Sequence, residues 1–161
     1  MKKAPKILAF GAIAVSLVFA LGACSNPIEK AIEKETGAKV DTDKDGNVTV
    51  KTKDGEAEFG AGASLPKTFP KELPVPKGGK LVSATTVADG WGLQYQGISK
   101  SSFDDLVGKV EAAGGTSTYE SQSAEMVSSM FELDGYSVQL LLISGDDPKD
   151  SVLSYTVGKI K

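Results

Sequence analysis

Four Asp-Gly pairs separate short stretches in which apolar and polar residues alternate: Asp45-Gly46, Asp54-Gly55, Asp89-Gly90 and Asp134-Gly135. An Asp-Gly pair between alternating stretches is the strongest short-range signal for a β-hairpin, because both residues tolerate the positive φ of a tight turn. Alternation with period two places successive side chains on opposite faces of a strand. The chain is therefore expected to fold mainly as antiparallel strands joined in hairpins.

One helix is predicted among the hairpins of residues 80–161. Its apolar residues recur at helical spacing: Phe103, Leu106, Val107 and Val110. Ser102 is placed to cap this helix with Asp105 at the capping-box position, and Gly114-Gly115 is placed to end it. The strands predicted around it are Leu81 to Val87, Trp91 to Gln96, Thr116 to Glu120, Glu125 to Leu133, Tyr136 to Ile143 and Val152 to Ile160. The fold class that follows is α+β, a two-layer sandwich of one helix on an antiparallel sheet in the order ββαβββ(β).

Three further parts are predicted before this domain. Residues 1–23 form a signal peptide, residues 24–59 a tether with a short helix and a β-meander, and residues 60–79 a Pro/Gly-rich connector. The short helix begins at Asn26, ends at Gly37 and has a thin apolar stripe of Ile28, Ala31 and Ile32. The meander buries few side chains: Val40, Val48, Val50, Ala57 and Phe59. Prolines favour an extended connector, which is expected to be pinned onto the domain by Leu65, Phe69, Leu73 and Val75.

The composition excludes several classes of function. The chain has no histidine and one cysteine, so it has no Ser-His-Asp or Cys-His catalytic site, no internal disulfide and no structural zinc site. It has no arginine, and its 21 acidic residues exceed its 18 basic ones, which argues against nucleic-acid binding. Carboxylate pairs and Ser-Lys dyads lack any recognisable setting, and no enzymatic activity is expected.

The first 24 residues predict export and lipid anchoring. Three lysines precede the uncharged stretch from Ile7 to Ala23, which is marginal in length for a transmembrane helix. Leu21-Gly22-Ala23-Cys24 then resembles the lipobox of bacterial lipoproteins. The resemblance implies cleavage between Ala23 and Cys24, a diacylglyceryl group on the Cys24 thiol, and attachment to the extracytoplasmic face of the cell membrane. The alternative is an uncleaved anchor with an incidental cysteine.

A broader resemblance extends over roughly residues 28–161. It rests on turn and core motifs: Leu65-Pro66, Phe69-Pro70, Leu73-Pro74-Val75-Pro76, Gly90-Trp91, the helix Phe103–Val110, Ser129-Met130-Phe131 and Leu153-Ser154-Tyr155-Thr156-Val157. Together these are similar to a family of small secreted lipoproteins of Gram-positive, chiefly actinobacterial, envelopes. That family is a domain of unknown function. The resemblance therefore implies a location in the cell envelope and a fold, and it assigns no catalytic residue.

An acidic segment in the predicted meander is a candidate calcium site. Asp41, Asp43, Asp45 and Asn47, with Gly46 between the last two, are similar to the first positions of an EF-hand-type loop. Oxygen ligands at alternate positions of a tight loop can converge on one calcium ion. Thr52 replaces the bidentate glutamate of that motif, and the residues after Asn47 have a strand pattern. The alternative is an acidic β-turn without a metal, and no cofactor is required.

Alternation also predicts a neutral polar face on the sheet of residues 80–161. If the large apolar residues face the helix, the opposite face carries Gln94, Gln96, Gln139, Ser154 and Thr156, with Ser137 beside them. A face without charge suits a partner protein or glycan, because burying charge is costly. The alternative is an ordinary solvated antiparallel face.

These observations favour a non-enzymatic envelope lipoprotein that binds another envelope component. The competing hypothesis is a carrier or sensor of a small ligand, either a lipid held between helix and sheet or calcium at the acidic segment.

Overall fold

The structure is a computed structural model that describes residues 37–44 and 46–160. The predicted signal peptide, Ala23, Cys24, the short helix before Gly37, and Asp45 lie outside the described residues. Within the described residues, no helix is both long enough and apolar enough to cross a membrane.

Nine strands and one α-helix make up the described chain. They are β1 Lys39–Thr42, β2 Val48–Thr52, β3 Gly55–Phe59, β4 Lys80–Val87, β5 Gly90–Gln96, α1 Lys100–Ala112, β6 Thr116–Gln122, β7 Met126–Leu133, β8 Tyr136–Ile143 and β9 Val152–Lys159. A short 3-10 turn, Pro148–Asp150, precedes β9. All nine strands form one antiparallel sheet in the order β1-β2-β3-β4-β5-β9-β8-β7-β6. The predicted α+β class is confirmed at this level.

The strands predicted for the meander belong to the same sheet as those of residues 80–161. β3 pairs with β4 from Gly55↔Val87 to Phe59↔Ser83. The Pro-rich segment, residues 60–79, leaves the sheet after β3 and returns at the start of β4. Because the ladder is continuous across this segment, β1, β2 and β3 extend the sheet instead of forming a separate layer.

Two-residue turns join three pairs of neighbouring strands, β2–β3, β4–β5 and β7–β8, each at a predicted Asp-Gly pair. Between β7 and β8, Asp134 and Gly135 both have positive φ, 50° and 79°. A two-residue turn with two positive φ values matches the right-handed twist of the strands it joins. The turn between β2 and β3 is displaced by one residue, because Gly55 already pairs with Thr52 and the turn consists of Lys53 and Asp54.

The N-cap of the helix lies three residues before the predicted one. Ser99 is the N-cap, and its hydroxyl accepts a hydrogen bond from the backbone N–H of Ser102 at 3.2 Å. The prediction that Ser102 caps the helix was therefore wrong, since Ser102 lies in the first turn, where backbone N–H groups need an outside acceptor. The predicted stop is confirmed, because α1 ends at Ala112, shortly before Gly114, which has a φ of 97°.

A single hydrophobic core lies on one face of the sheet, which we call the covered face. α1 contributes Phe103, Leu106 and Val110, each no more than 1% exposed. The sheet contributes buried residues from five strands: Ala84, Trp91, Leu93, Tyr95, Phe131, Leu133, Val138, Leu140, Leu142, Leu153, Tyr155 and Val157.

The Pro-rich segment forms a second cover beside the helix. Phe69 and Leu73 are buried in the core, and the Phe69 ring packs edge-on against Trp91 and Tyr155, with centroids 6.2 Å and 5.8 Å apart. The Trp91 indole N–H donates to the Thr68 hydroxyl at 3.1 Å. The Tyr155 hydroxyl donates to the Pro74 carbonyl at 3.0 Å. Aromatic side chains whose polar tips are hydrogen-bonded thus attach the segment to the sheet.

Two of the four residues expected to pin this segment do not do so. Leu65 and Val75 are 42% and 38% exposed. The segment turns twice, with the N–H of Phe69 bonded to the Pro66 carbonyl and the N–H of Leu73 bonded to the Pro70 carbonyl. Because the path is turned and not extended, only the residues that close the two turns point into the core.

Candidate functional face

The face of the sheet opposite the helix, which we call the distal face, contains the predicted polar residues. Residues directly opposite each other in neighbouring strands share a face, and alternate residues along a strand change face. Leu93 and Tyr155 lie opposite each other in the core, so their neighbours Gln94 and Ser154, also opposite each other, lie on the distal face.

Two adjacent rows on the distal face cross all nine strands without a charged residue. The first row is Thr42, Val48, Phe59, Ser83, Gln94, Ser154, Leu141, Ser128 and Ser121. The second row is Val40, Val50, Ala57, Thr85, Gly92, Thr156, Gln139, Met130 and Tyr119. Since 24% of the chain is charged, these rows depart strongly from its composition.

All five predicted residues lie on this face. Gln94 and Ser154 belong to the first row, Gln139 and Thr156 belong to the second, and Gln96 lies opposite Val152 beside the first. Ser154 is half-buried, and the other four are exposed. Ser137, opposite Gly158, extends the face on the other side. The structure thus brings the predicted set together at the centre of the sheet.

Sequence reasoning missed that the meander extends this face. The side chains named as its buried set all belong to the two rows: Val40, Val48, Val50, Ala57 and Phe59. Four of them are half-buried and Phe59 is 38% exposed. The available signal was that these positions are uncharged while their alternates are charged. That signal showed two distinct faces without showing which one would adjoin Gln94.

The covered face of β1, β2 and β3 has the opposite character. It carries Lys39, Asp41, Lys51, Glu56 and Glu58. Lys51 and Glu56 form an ion pair at 2.8 Å, and the hydrogen bond and charge of Glu56 raise the pKa of the Lys51 ammonium. Charge in these strands is therefore confined to the side on which the helix lies.

An open groove of about 730 Å³ separates these charged strands from the Pro-rich segment. Lys51, Glu56, Glu58 and Lys67 are among its lining residues. Glu58 accepts hydrogen bonds from the N–H and the hydroxyl of Ser64, both at 3.1 Å. The hydrogen bonds from Ser64 to Glu58 thus connect the two sides of the groove.

The predicted calcium ligands are divided between a strand and a turn. Asp41 lies in β1 opposite Thr49. The Asp43 carboxylate accepts hydrogen bonds from the backbone N–H and the side-chain amide of Asn47, at 2.9 Å and 2.7 Å. The Asn47 side-chain oxygen accepts from the N–H of Gly62 at 2.6 Å. Among residues 37–44 and 46–160 no three carboxylate, histidine or cysteine side chains form a metal-binding group. Calcium binding stays a prediction that involves Asp45.

The loop before β9 contains three acidic residues, Asp146, Asp147 and Asp150, and Asp147 stabilises the local structure. One Asp147 carboxylate oxygen accepts from the N–H of Lys149 at 3.0 Å, and the other lies 2.9 Å from the Lys149 ammonium. These contacts lower the pKa of the Asp147 carboxyl. Asp147 thus caps the 3-10 turn that leads into β9.

No protein family, curated protein or solved structure matches this chain.

Proposed function

We propose that this protein is a lipid-anchored, non-enzymatic binding module of the cell envelope, and that its distal face binds an uncharged surface of another envelope component. The two charge-free rows across the sheet carry this proposal. The lipobox-like Leu21-Gly22-Ala23-Cys24 supports the lipid anchor and the location in the cell envelope. The absence of histidine from the sequence and of any recognisable nucleophile motif supports a binding role over a catalytic one.

The chemistry of the distal face suits a neutral partner. Removing a charged side chain from water costs several kcal/mol unless the partner supplies an opposite charge, whereas amides and hydroxyls need only a hydrogen bond. Gln94, Gln139 and Thr156 are exposed donors and acceptors of this kind. Apolar side chains such as Val50, Met130 and Tyr119 lie at either end of the second row and add contact area. The two rows can therefore be buried without leaving a charged side chain unpaired, and the nearest charges are Lys80 opposite Gln96 and Glu132 opposite Ser137.

The size of the face is adequate for a specific interface. At about 4.8 Å between neighbouring strands, nine strands span roughly 38 Å. A standard protein interface buries about 800 Å² on each partner. The two rows with the flanking Gln96 and Ser137 positions provide a surface of that order, so a partner can bind without a deep cleft.

Site-specific cross-linking in the native envelope tests the binding face. A photoreactive residue at Gln139 is expected to capture one envelope component of discrete mass. Introducing charge by Thr156→Lys is expected to abolish that capture, because the lysine would be buried unpaired. Ala112→Lys adds the same charge at an exposed position on α1 and is expected to leave capture unchanged. Capture that persists in the Thr156→Lys variant would contradict the proposed face. A bound small molecule, seen as additional mass in native mass spectrometry of the protein, would support the carrier hypothesis.

Replacing the lipobox cysteine tests the membrane anchoring separately from the binding face. Cys24→Ser is expected to release the chain from membranes or leave the precursor uncleaved, because no thiol remains to be acylated. The mass of the wild-type protein is expected to begin at Cys24 and include at least two acyl chains, which suffice for stable anchoring. A Cys24→Ser chain that still carries lipid and stays in the membrane fraction would refute the anchor.

A further inference from the structure

The two edges of the sheet are protected to different degrees. β1 is four residues long and includes Lys39 and Asp41. β6, at the other edge, has seven residues, all exposed, with Glu120 as its one charge and with neither lysine nor proline. Short strands, charged side chains and β-bulges all protect an edge from pairing with another strand. β6 has a bulge between Ser117 and Tyr119, but residues 119–122 beyond it carry one charge, whereas β1 carries two in the same length. The edge beside β6 is therefore the one suited to strand addition.

Hydrogen bonding within the sheet shows which backbone groups of β6 point to this edge. The N–H of Ser123 bonds to the Met126 carbonyl, at the end of the β6–β7 ladder. In an antiparallel ladder, bonded and non-bonded pairs alternate. Ser121 is therefore bonded to β7, and the N–H and C=O groups of Glu120 and Gln122 point away from β7. A β-bulge between Ser117 and Tyr119 interrupts the first half of the strand, so residues 119–122 are the regular part.

We propose that two copies of the chain pair antiparallel along β6, with Ser121 of one copy opposite Ser121 of the other. In this register Glu120 of each copy lies opposite Gln122 of its mate, and these two residues carry the outward N–H and C=O groups. The register centred on Glu120 would place like charges opposite each other, which is destabilising. Within the described residues, the outward-pointing backbone groups allow this symmetric pairing, and the side-chain charges favour it over the register centred on Glu120.

The pairing would also join the distal faces of the two copies. Ser121 ends the first charge-free row, and Tyr119 ends the second. With Ser121 at the two-fold axis, the first row would continue across the second copy and double the width of the neutral face. The contact itself requires no third component, so it is testable independently of the binding partner.

Disulfide trapping of the full chain in its own membranes tests this register. A non-bonded antiparallel pair has Cα atoms about 4.5 Å apart, within the range of a disulfide. Ser121→Cys is therefore expected to give a thiol-reversible dimer under copper-phenanthroline oxidation. Glu120→Cys and Gln122→Cys are expected to give at least about tenfold less, because the symmetry-related Cα atoms at those positions lie roughly 8 Å apart. The wild-type chain is the control for any disulfide through Cys24.

A proline variant tests the backbone contact. Gln122→Pro in the Ser121→Cys chain removes an N–H that points to the edge, so it is expected to abolish the dimer without lowering the melting temperature. Gln122→Ala keeps the N–H and is expected to retain the dimer. The proposal is overturned if position 120 traps more dimer than position 121, if trapping persists in the proline variant, if the trapped adduct is not twice the chain mass, or if no adduct forms.

Discussion

The two faces of the sheet show different relations between composition and burial. On the covered face, apolar side chains occupy the strands under α1 and the Pro-rich segment, and charge begins where that cover ends, at Glu56 and Glu58. On the distal face, charge is absent from both central rows even where Gln94, Gln139 and Thr156 are exposed. Burial therefore accounts for the composition of the covered face. On the distal face it accounts for buried positions such as Ser83 and Ser128, but it does not account for the neutrality of the exposed ones.

This difference separates residues that stabilise the fold from residues available for recognition. An exposed sheet face tolerates charge freely, and the alternate face of β1, β2 and β3 carries it. Neutrality at the exposed positions of the two rows is thus not required for folding. Substitutions on the covered face are therefore expected to lower stability, whereas those at exposed positions of the distal face are expected to leave it nearly unchanged.

The largest effect is expected for Phe103→Ala. Phe103 is 1% exposed and fills the layer between helix and sheet. Truncating a buried phenylalanine removes its transfer free energy and leaves a cavity, which costs about 3–5 kcal/mol of the free energy of unfolding. Thr156→Ala on the distal face is the matched comparison and is expected to change it by less than about 0.5 kcal/mol. Urea denaturation monitored by Trp91 fluorescence measures both, and similar losses would erase the distinction between the faces.

A smaller effect is expected for Tyr155→Phe, which isolates the attachment of the Pro-rich cover. The substitution keeps the ring against Phe69 and removes the hydrogen bond to the Pro74 carbonyl. Loss of one such bond costs about 1–2 kcal/mol.

The same variant gives a pH signature. Burial raises the pKa of the Tyr155 hydroxyl above its ordinary value of 10.0. Above pH 10 the unfolded state then loses this proton before the folded state does, so stability falls as pH rises. In urea denaturation at a series of pH values, the stability of the wild type is expected to decline more steeply above pH 10 than that of Tyr155→Phe. Parallel declines would show that a group other than Tyr155 causes the alkaline sensitivity.

An effect of about 1 kcal/mol is expected for Ser99→Ala, because it removes the N-cap of the helix that covers the core. Ser102→Ala is the control, since its side chain does not cap the helix, and it is expected to cost less than about 0.5 kcal/mol. Equal losses in thermal denaturation would restore Ser102 as the effective cap.

The smallest stability loss is expected at the uncovered end of the sheet. Asp43→Ala removes two hydrogen bonds to Asn47 in an exposed turn. We expect a loss of about 0.5–1 kcal/mol, at the lower end for such bonds because water replaces them. Since the carboxylate already binds Asn47, the loss is expected to be the same with excess calcium and with chelator. A loss seen only with calcium would establish the metal site at Asp41, Asp43, Asp45 and Asn47.

Local structure was well predicted from the sequence where neighbouring residues decide it. β8 has the predicted bounds Tyr136–Ile143, and Asp134-Gly135 makes the predicted turn. The helix cap was missed because Ser99 and Ser102 both suit an N-cap, and the choice depends on where the chain leaves β5. The roles of Leu65 and Val75 were missed because two proline turns changed the direction of their side chains.

The sequence by itself determined the strands, the tight turns, the existence of the helix and the alternation of neutral and charged positions, since these depend on φ preferences and on period-two or helical spacing. Only the tertiary structure decided that β3 pairs with β4, that β5 pairs with β9, and that the neutral positions of the meander adjoin Gln94 and Ser154. Strand partners are chosen by packing between residues far apart in the chain, and a segment's own pattern does not contain that choice.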